Sequence, residues 1–323
     1  MAAPGKEIVT VVGAGLMGHG IAQVFAARGH SVRLVDADPQ VLDTAKGKVR
    51  GNLLEMAEHG IQLGDSVDSI LDRITLTTDL SASCEACDFV IEAVYEDLEL
   101  KQRVFADLDR HCPQDAILCS NTSVIRITEI AQGATRRERI LGTHFWNPPY
   151  LIPAVEVVRT EETADWCFDT ACEVLRRAGK HPVRVHKDVP GFVGNRLQHA
   201  LWREAFAIID QGICEPATVD EVIRNAFGLR LPVMGPVETA DMIGLDLTLA
   251  IHDYLLQHLN ADPTPSSTLR SRVQSGELGF KTGSGFQRWT EAEMASSRQR
   301  LRSHLMETLA AQQAAARKEG AGN

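Results

Sequence analysis

The sequence predicts an α/β protein in two parts: an N-terminal doubly wound, mostly parallel sheet over residues 1–188, then an all-α C-terminal domain over 189–323. Three observations carry this. Short β-branched runs alternate with helical periodicity as far as about residue 187. A GxGxxG turn joins the first strand to the first helix. From Phe192 onward almost every segment carries helical rather than strand periodicity.

Composition narrows the function classes. The chain has 323 residues, 44% of them hydrophobic, enough for a substantial core and roughly two domains. A net charge of −10 and no long Lys/Arg run argue against nucleic acid or an anionic membrane as partner. The short cluster Arg136, Arg137, Arg139 reads as a solvated helix end. No apolar run reaches the roughly 18 residues a membrane span needs, and nothing at the N-terminus has the pattern of a signal peptide. Seven scattered cysteines fit a reducing compartment, so a cytoplasmic protein is expected. Cys84 and Cys87 form a CxxC without a second pair at zinc-finger spacing, and no metal site is expected.

Taken in order, residues 7–12, EIVTVV, read as a buried parallel strand ending in glycine. Gly13-Ala14-Gly15-Leu16-Met17-Gly18 follows and opens a helix that stops at Gly29. The first glycine permits the tight turn, the second lets backbone approach a pyrophosphate, and the third lets helix pack on strand. The free N–H groups and positive dipole of the helix N-terminus then meet the phosphates. The second strand, SVRLVDAD, ends in Asp36, 18 residues past Gly18. A carboxylate there accepts hydrogen bonds from ribose hydroxyls and repels a 2′-phosphate, which favours NAD over NADP. Asp38 is the nearby rival, but the strand pattern points to Asp36.

Residues 39–72 are helical with a break near Gly60 to Gly64. Strands follow at 74–80 and 87–94, then a helix from Leu98 to His111. AILCSNTSVI is a strand ending in Ser120-Asn121-Thr122-Ser123, polar residues at the strand end where ligands bind in such sheets. Glu96 and Lys101 fall on the same edge, or form an exposed pair at a helix start.

The chemistry is expected between Ile140 and Val158. One apolar run carries His144 at its end, Asn147-Pro148-Pro149 reverses the chain, and a second run brings Glu156 back beside it. A histidine oriented by a buried carboxylate is a general acid/base pair; the competing reading is a hairpin around a core histidine. A helix over 164–179 and a strand, HPVRVHK, complete the first domain before the boundary near 187–191.

Assembled, these residues resemble the 3-hydroxyacyl-CoA dehydrogenase family from about residue 7 to 289, on GAGLMG with Asp36, EAVYEDLELK, SNTS, HFWNPP followed by VEVV, DVPGFVGNRL, GPVETADMIGLD and GFKTGSGF. The resemblance implies a Rossmann-type domain, then a helical domain that forms a homodimer interface. It implies His144 as catalytic acid/base, Glu156 as its orienting partner, and Ser123 and Asn195 as hydrogen-bonding partners of the reacting oxygen or its neighbours. It places Glu96, Lys101, Asn147 and Lys281 near NAD, beside Gly13, Gly15, Leu16, Met17, Gly18 and Asp36. The reaction implied is hydride transfer between a secondary alcohol and NAD.

The chain departs from acyl-CoA members of the family where they carry basic side chains after the second strand. Asn52 through Leu71 contains Glu55, Glu58 and Asp65 and no Lys or Arg, although Lys46, Lys48 and Arg50 precede it. A negative rim repels a polyanionic nucleotide, so a small free 3-hydroxy acid is expected as substrate. Asn-Pro-Pro, the Tyr150-Leu151-Ile152-Pro153 that follows and the extra C-terminal helix resemble the branch holding L-gulonate 3-dehydrogenase with its lambda-crystallin relative, carnitine dehydrogenase and a pyridine-aldehyde dehydrogenase. Alternatives are a 3-hydroxyacyl-CoA dehydrogenase and an inactive crystallin-like protein. Phe145, Trp146, Tyr150 and Trp202 read as core or as an aromatic wall for a ring or cation, and Arg196 and Arg203 as a carboxylate site or surface ion pairs.

Overall fold

The computed structural model describes residues 5–321. Contacts divide the chain into two compact units, one of Met1–Arg196 with Leu301–Asn323 and one of Leu197–Arg300.

The first unit runs β1 (Ile8–Val12), α1 (Gly18–Ala26), β2 (Ser31–Val35), α2 (Pro39–Glu58), α3 (Val67–Asp72), β3 (Ile74–Thr77), α4 (Leu80–Cys84), β4 (Phe89–Glu92), α5 (Leu98–His111), β5 (Ile117–Ser120), α6 (Ile127–Ile130), β6 (Ile140–Phe145), β7 (Ala154–Val158), α7 (Asp165–Arg177) and β8 (His181–Val185). The strands form one sheet in the order β3-β2-β1-β4-β5-β6-β7-β8. β3 through β6 in that order pair parallel, whereas β7 runs antiparallel to β6 and β8 parallel to β7. The order reverses at β1, whose neighbours β2 and β4 lead the chain to opposite edges, and ligands bind at such a switch point.

The near-continuous apolar strands are explained by burial on both faces: every residue of β4, β5 and β6 is buried. α1 is buried along its whole length, and α7 buries a stripe including Phe168, Ala171 and Leu175. The short helices α4 and α6 were not legible as periodic segments, because four or five residues do not complete two turns.

The arginine cluster differs from expectation. Arg139 is fully buried rather than solvated, its Nη2 donating to Asp109 Oδ1 at 2.7 Å while Arg136 Nε donates to the same carboxylate at 3.0 Å. Two guanidinium groups converge on a carboxylate of α5, which compensates the buried charge and ties that helix to β6. Burial pushes the Asp109 carboxyl up, but bonds from Arg139 and the Thr135 and Arg136 N–H groups hold it below the usual range.

The second unit contains most of α8 (Gly194–Asp210), then α9 (Pro216–Asn225), α10 (Pro236–Ile243), α11 (Leu245–Leu255) and α12 (Ser267–Gln274). Among its described residues Ala207 is the sole buried hydrophobic, while Leu229, Val233 and Val237 are 68%, 81% and 76% exposed. The long α13 (Glu291–Ala321) begins in this unit, and from Leu301 it packs on the first, where Met306 is fully buried with Met56, Ile61 and Leu151.

Candidate active site

The glycine turn has the geometry its spacing requires. Gly13 has φ +99°, and a Cβ there would lie 2.6 Å from the Ala93 carbonyl oxygen. A Cβ on Gly18 would overlap the Gly13 carbonyl, whereas one on Gly15 would meet nothing within 4 Å. The middle glycine therefore faces open space, where a phosphate can approach backbone, and Leu16 is 69% exposed beside it. Met17 packs partly buried against the core and its carbonyl accepts the Ile21 N–H at 2.9 Å, starting α1.

Asp36 and Asp38 separate by partner. Asp38 is the N-cap of α2, accepting the Gln40 N–H at 2.8 Å. Asp36 Oδ2 accepts the Ala14 N–H at 2.7 Å, which fixes the carboxylate against the glycine turn. The acid that reaches the nucleotide loop is thus Asp36. These residues fit an adenine dinucleotide: an open backbone turn at a helix start with a half-buried carboxylate at the end of the next strand.

Beside it, Glu96 organises the polar loop after β5. Its Oε1 accepts the Thr122 hydroxyl at 2.5 Å and the Ser123 and Val124 N–H groups at 3.0 and 3.2 Å. Burial pushes this carboxyl up, but the Thr122 bond, the Lys101 charge and the two N–H groups outweigh it and leave it lowered. Lys101 is not an exposed helix-start residue: at 1% exposure its Nζ donates to Glu92 Oε1 at 2.7 Å and lies 3.3 Å from Glu96 Oε2. Glu92, wholly buried, also accepts the Ser120 hydroxyl at 2.6 Å. It was missed in the sequence, though an acid closing the otherwise apolar strand Phe89–Glu92 was the signal for it.

His144 and Glu156 are direct cross-strand partners of β6 and β7. The His144 Nδ1 lies 2.8 Å from Glu156 Oε2, with both side chains at 5–6% exposure. Glu156 Oε1 accepts the Val193 and Gly194 N–H groups at 3.0 and 2.9 Å, so the start of α8 points at this carboxylate. Burial pushes Glu156 up, but the bond from His144 and the two N–H groups hold it below its ordinary 4.5. The strand end is pinned as well, because the Asn121 side-chain oxygen accepts the Phe145 N–H at 2.9 Å. With Nδ1 committed to a carboxylate, Nε2 is the ring nitrogen left to exchange a proton.

Because native Glu156 binds its proton less tightly than the unfolded chain does, its stabilisation is complete above about pH 4.5 and disappears as pH falls through the lower folded value. The difference in urea stability between the wild type and Glu156→Gln is therefore expected to shrink below that pH. A difference constant from about pH 6 to about pH 3 contradicts this.

Asn195 Nδ2 donates to the Ser123 carbonyl at 2.9 Å, which brings Asn195 to the Ser123 loop. The Ser123 hydroxyl makes no hydrogen bond among the described residues, and Ser123 is exposed. Asn147 is exposed past β6, and Lys281 is exposed in the second unit. Phe145 is core at 2% exposure, and the Tyr150 hydroxyl donates to Asn52 Oδ1 at 3.0 Å. Trp202 belongs to the second unit, edge-to-face with His199 with ring centres 4.9 Å apart. Trp146 lies on His144, 5.0 Å between ring centres, in space that a Cβ on Gly194 would take, and Phe192 packs on the same imidazole at 5.9 Å.

An open glycine turn with an acid fixed against it fits NAD, and the class is that of an NAD-dependent oxidoreductase acting on CH–OH. The chain belongs to the 3-hydroxyacyl-CoA dehydrogenase family: residues 8–189 match its NAD binding domain and residues 191–289 its C-terminal domain. It is 40% identical over 280 residues to a probable 3-hydroxybutyryl-CoA dehydrogenase of Deinococcus radiodurans, covering 86% of this chain and 99% of that one. It is 37% identical to the mitochondrial hydroxyacyl-coenzyme A dehydrogenase of Homo sapiens, covering 87% and 90%. Among solved structures, 5-formyl-3-hydroxy-2-methylpyridine 4-carboxylic acid 5-dehydrogenase, an NAD+-dependent dismutase, superposes with a TM-score of 0.85 at 29% identity, covering 95% of this chain and 97% of that one.

Proposed function

We propose that this dehydrogenase oxidises the secondary alcohol of a small free 3-hydroxy acid, or reduces the corresponding ketone, with His144 and Glu156 as its acid/base pair. The observation that carries the reading is the 2.8 Å contact between His144 Nδ1 and a carboxylate anchored by two backbone N–H groups. NAD, when bound on the glycine turn and Asp36, supplies the hydride acceptor. Neutral His144 takes the hydroxyl proton on Nε2, and Glu156 stabilises the imidazolium that results. The Ser123 hydroxyl and the second Asn195 amide hydrogen hold the oxygen; Asn147 and Lys281 reach the nucleotide. Glu96 and Lys101 act through the Ser123 loop as positioning residues. The intact set argues against an inactive, crystallin-like protein.

For the free acid over a thioester, support comes from the acidic stretch around α2. From Asn52 to Leu71 it supplies no Lys or Arg for a polyanionic nucleotide, and the arginines that come to it from outside are already engaged, Arg302 with Glu55 at 2.6 Å and Arg73 with Asp65. It also comes from the extent of the likeness to the pyridine-carboxylic acid enzyme, 95% of the chain against 88% for the 3-hydroxybutyryl-CoA dehydrogenase of Ralstonia eutropha. That branch of the family is therefore the one preferred. The second reading, a 3-hydroxyacyl-CoA dehydrogenase, is favoured by the names and identities of the bacterial and mitochondrial relatives. In an NADH absorbance panel, a small 3-hydroxy acid is expected to reduce NAD with the higher kcat/KM than 3-hydroxybutyryl-CoA, with carnitine and gulonate alongside; the reverse ranking selects the thioester reading.

The nearly coreless second unit supports a homodimer through its apolar helices, since a single buried alanine cannot stabilise a folded helical unit. Seven free cysteines support the reducing cytoplasm as its location.

A further inference from the structure

A second cleft lies in the first unit, between α1, α2, the start of β8 and the returning end of α13. Its volume is about 70 Å³, and none of Ser123, His144, Glu156 or Asn195 lines it. Its walls have two characters. Leu53, Met56 and Leu309 make an apolar side, while Arg28 and Lys180 bring two positive charges to the other.

Lys180 is placed against electrostatic preference. Lys180 is 9% exposed, and the one hydrogen bond of its ammonium among the described residues goes to the Ile152 carbonyl at 2.7 Å. The Arg28 guanidinium lies over Gly179, where a Cβ would come within 2.9 Å of its nitrogens. Among the described residues neither has an acidic partner; Asp65, which lines an adjoining pocket with Arg28, is paired with Arg73. Burial, then the Arg28 charge, pushes Lys180 down to about 8. A buried cation with spare donors beside a second cation is costly unless an anion compensates both.

A third donor is also underused. Gln23, 1% exposed on the same wall, donates its amide to the Met56 thioether at 3.3 Å, a weak acceptor. Its oxygen is already engaged by Asn52 at 3.0 Å. Ammonium, guanidinium and amide donors facing an apolar wall match an anionic head with a short hydrocarbon tail.

We propose that this cleft is a binding site, separate from the catalytic one, for a small organic carboxylate whose head lies between Lys180 and Arg28 and whose tail lies against Leu53, Met56 and Leu309. Because Leu309 and Gln313 of α13 line the same cleft, occupancy would fasten that helix to α1 and α2.

Butyrate tests this on the NADH-loaded enzyme at constant ionic strength, with butyramide and chloride as controls. Two readouts are used: the rate of amine acylation at Lys180, followed by peptide mass spectrometry, and calorimetric affinity. Butyrate is expected to slow Lys180 acylation while butyramide and chloride do not. Arg28→Gln and Lys180→Met should each weaken the affinity about 10- to 100-fold, the loss of one charge-assisted hydrogen bond. Arg28 is exposed, so its variant remains informative if Lys180→Met fails to fold. Unprotected Lys180, equal protection by chloride, or butyrate heat that survives the Arg28→Gln change overturns the proposal. The last result would locate binding at the catalytic site instead, leaving the dehydrogenase reading untouched.

Discussion

Replacing His144 by alanine is expected to lower kcat by about 10²- to 10⁴-fold, the range for removing a positioned general acid/base. The NAD dissociation constant should stay near the wild-type value, because the glycine turn and Asp36 are held by backbone and by Ala14, with no bond to the histidine. The prediction separates proton transfer from binding. If the imidazole only filled the core, its loss would leave a cavity and reduce stability, with kcat changed little in the fraction still folded. Stopped-flow hydride transfer and NADH fluorescence titration on one preparation read both quantities. Near-normal turnover with the physiological alcohol removes His144 from the chemistry. Glu156→Gln should show a smaller loss in the same direction, since glutamine still fills the site but leaves the imidazolium without a counter-charge.

Much of this site is local in sequence, which is why it was legible. Gly13 to Gly18 are consecutive, and His144 and Glu156 face each other because a tight reversal joins adjacent strands, so spacing alone brings them into register. Asp36 required a second strand beside the first, which the alternating pattern supplied. What escaped depends on partners far apart in the chain. Arg139 lies in a run of arginines that looks like solvated surface, and nothing local reveals that Asp109 waits 30 residues away. Glu92 and Lys101 lie nine residues apart on different elements, and their spacing resembles an ordinary strand end and helix face. Phe145 and Trp146 are neighbours in sequence, yet strand alternation sends one into the core and leaves the other on His144.

The pair of Glu92 and Lys101 carries the second large expectation, and it is one of stability. Lys101→Met keeps the side chain's length and apolar stem but strands a fully buried carboxylate that also accepts from Ser120 and the Val94 N–H. Breaking a buried pair in this way costs about 3–5 kcal/mol, because the remaining charge keeps its desolvation penalty without its partner. Glu96 loses its cation too, and with it part of the anchor for the Thr122 hydroxyl and the Ser123 N–H. Urea unfolding should therefore show a midpoint far below wild type, and at temperatures where the variant is folded KM for the alcohol should rise as Ser123 loosens. Adding Glu92→Gln removes the stranded charge while retaining an acceptor for the Ser120 hydroxyl. The double variant should recover about 0.5–3 kcal/mol relative to the sum of the single changes. Strict additivity would mean that the two groups do not compensate each other in the folded protein, and that the loop bearing Ser123 is held by Glu96 and its backbone bonds alone.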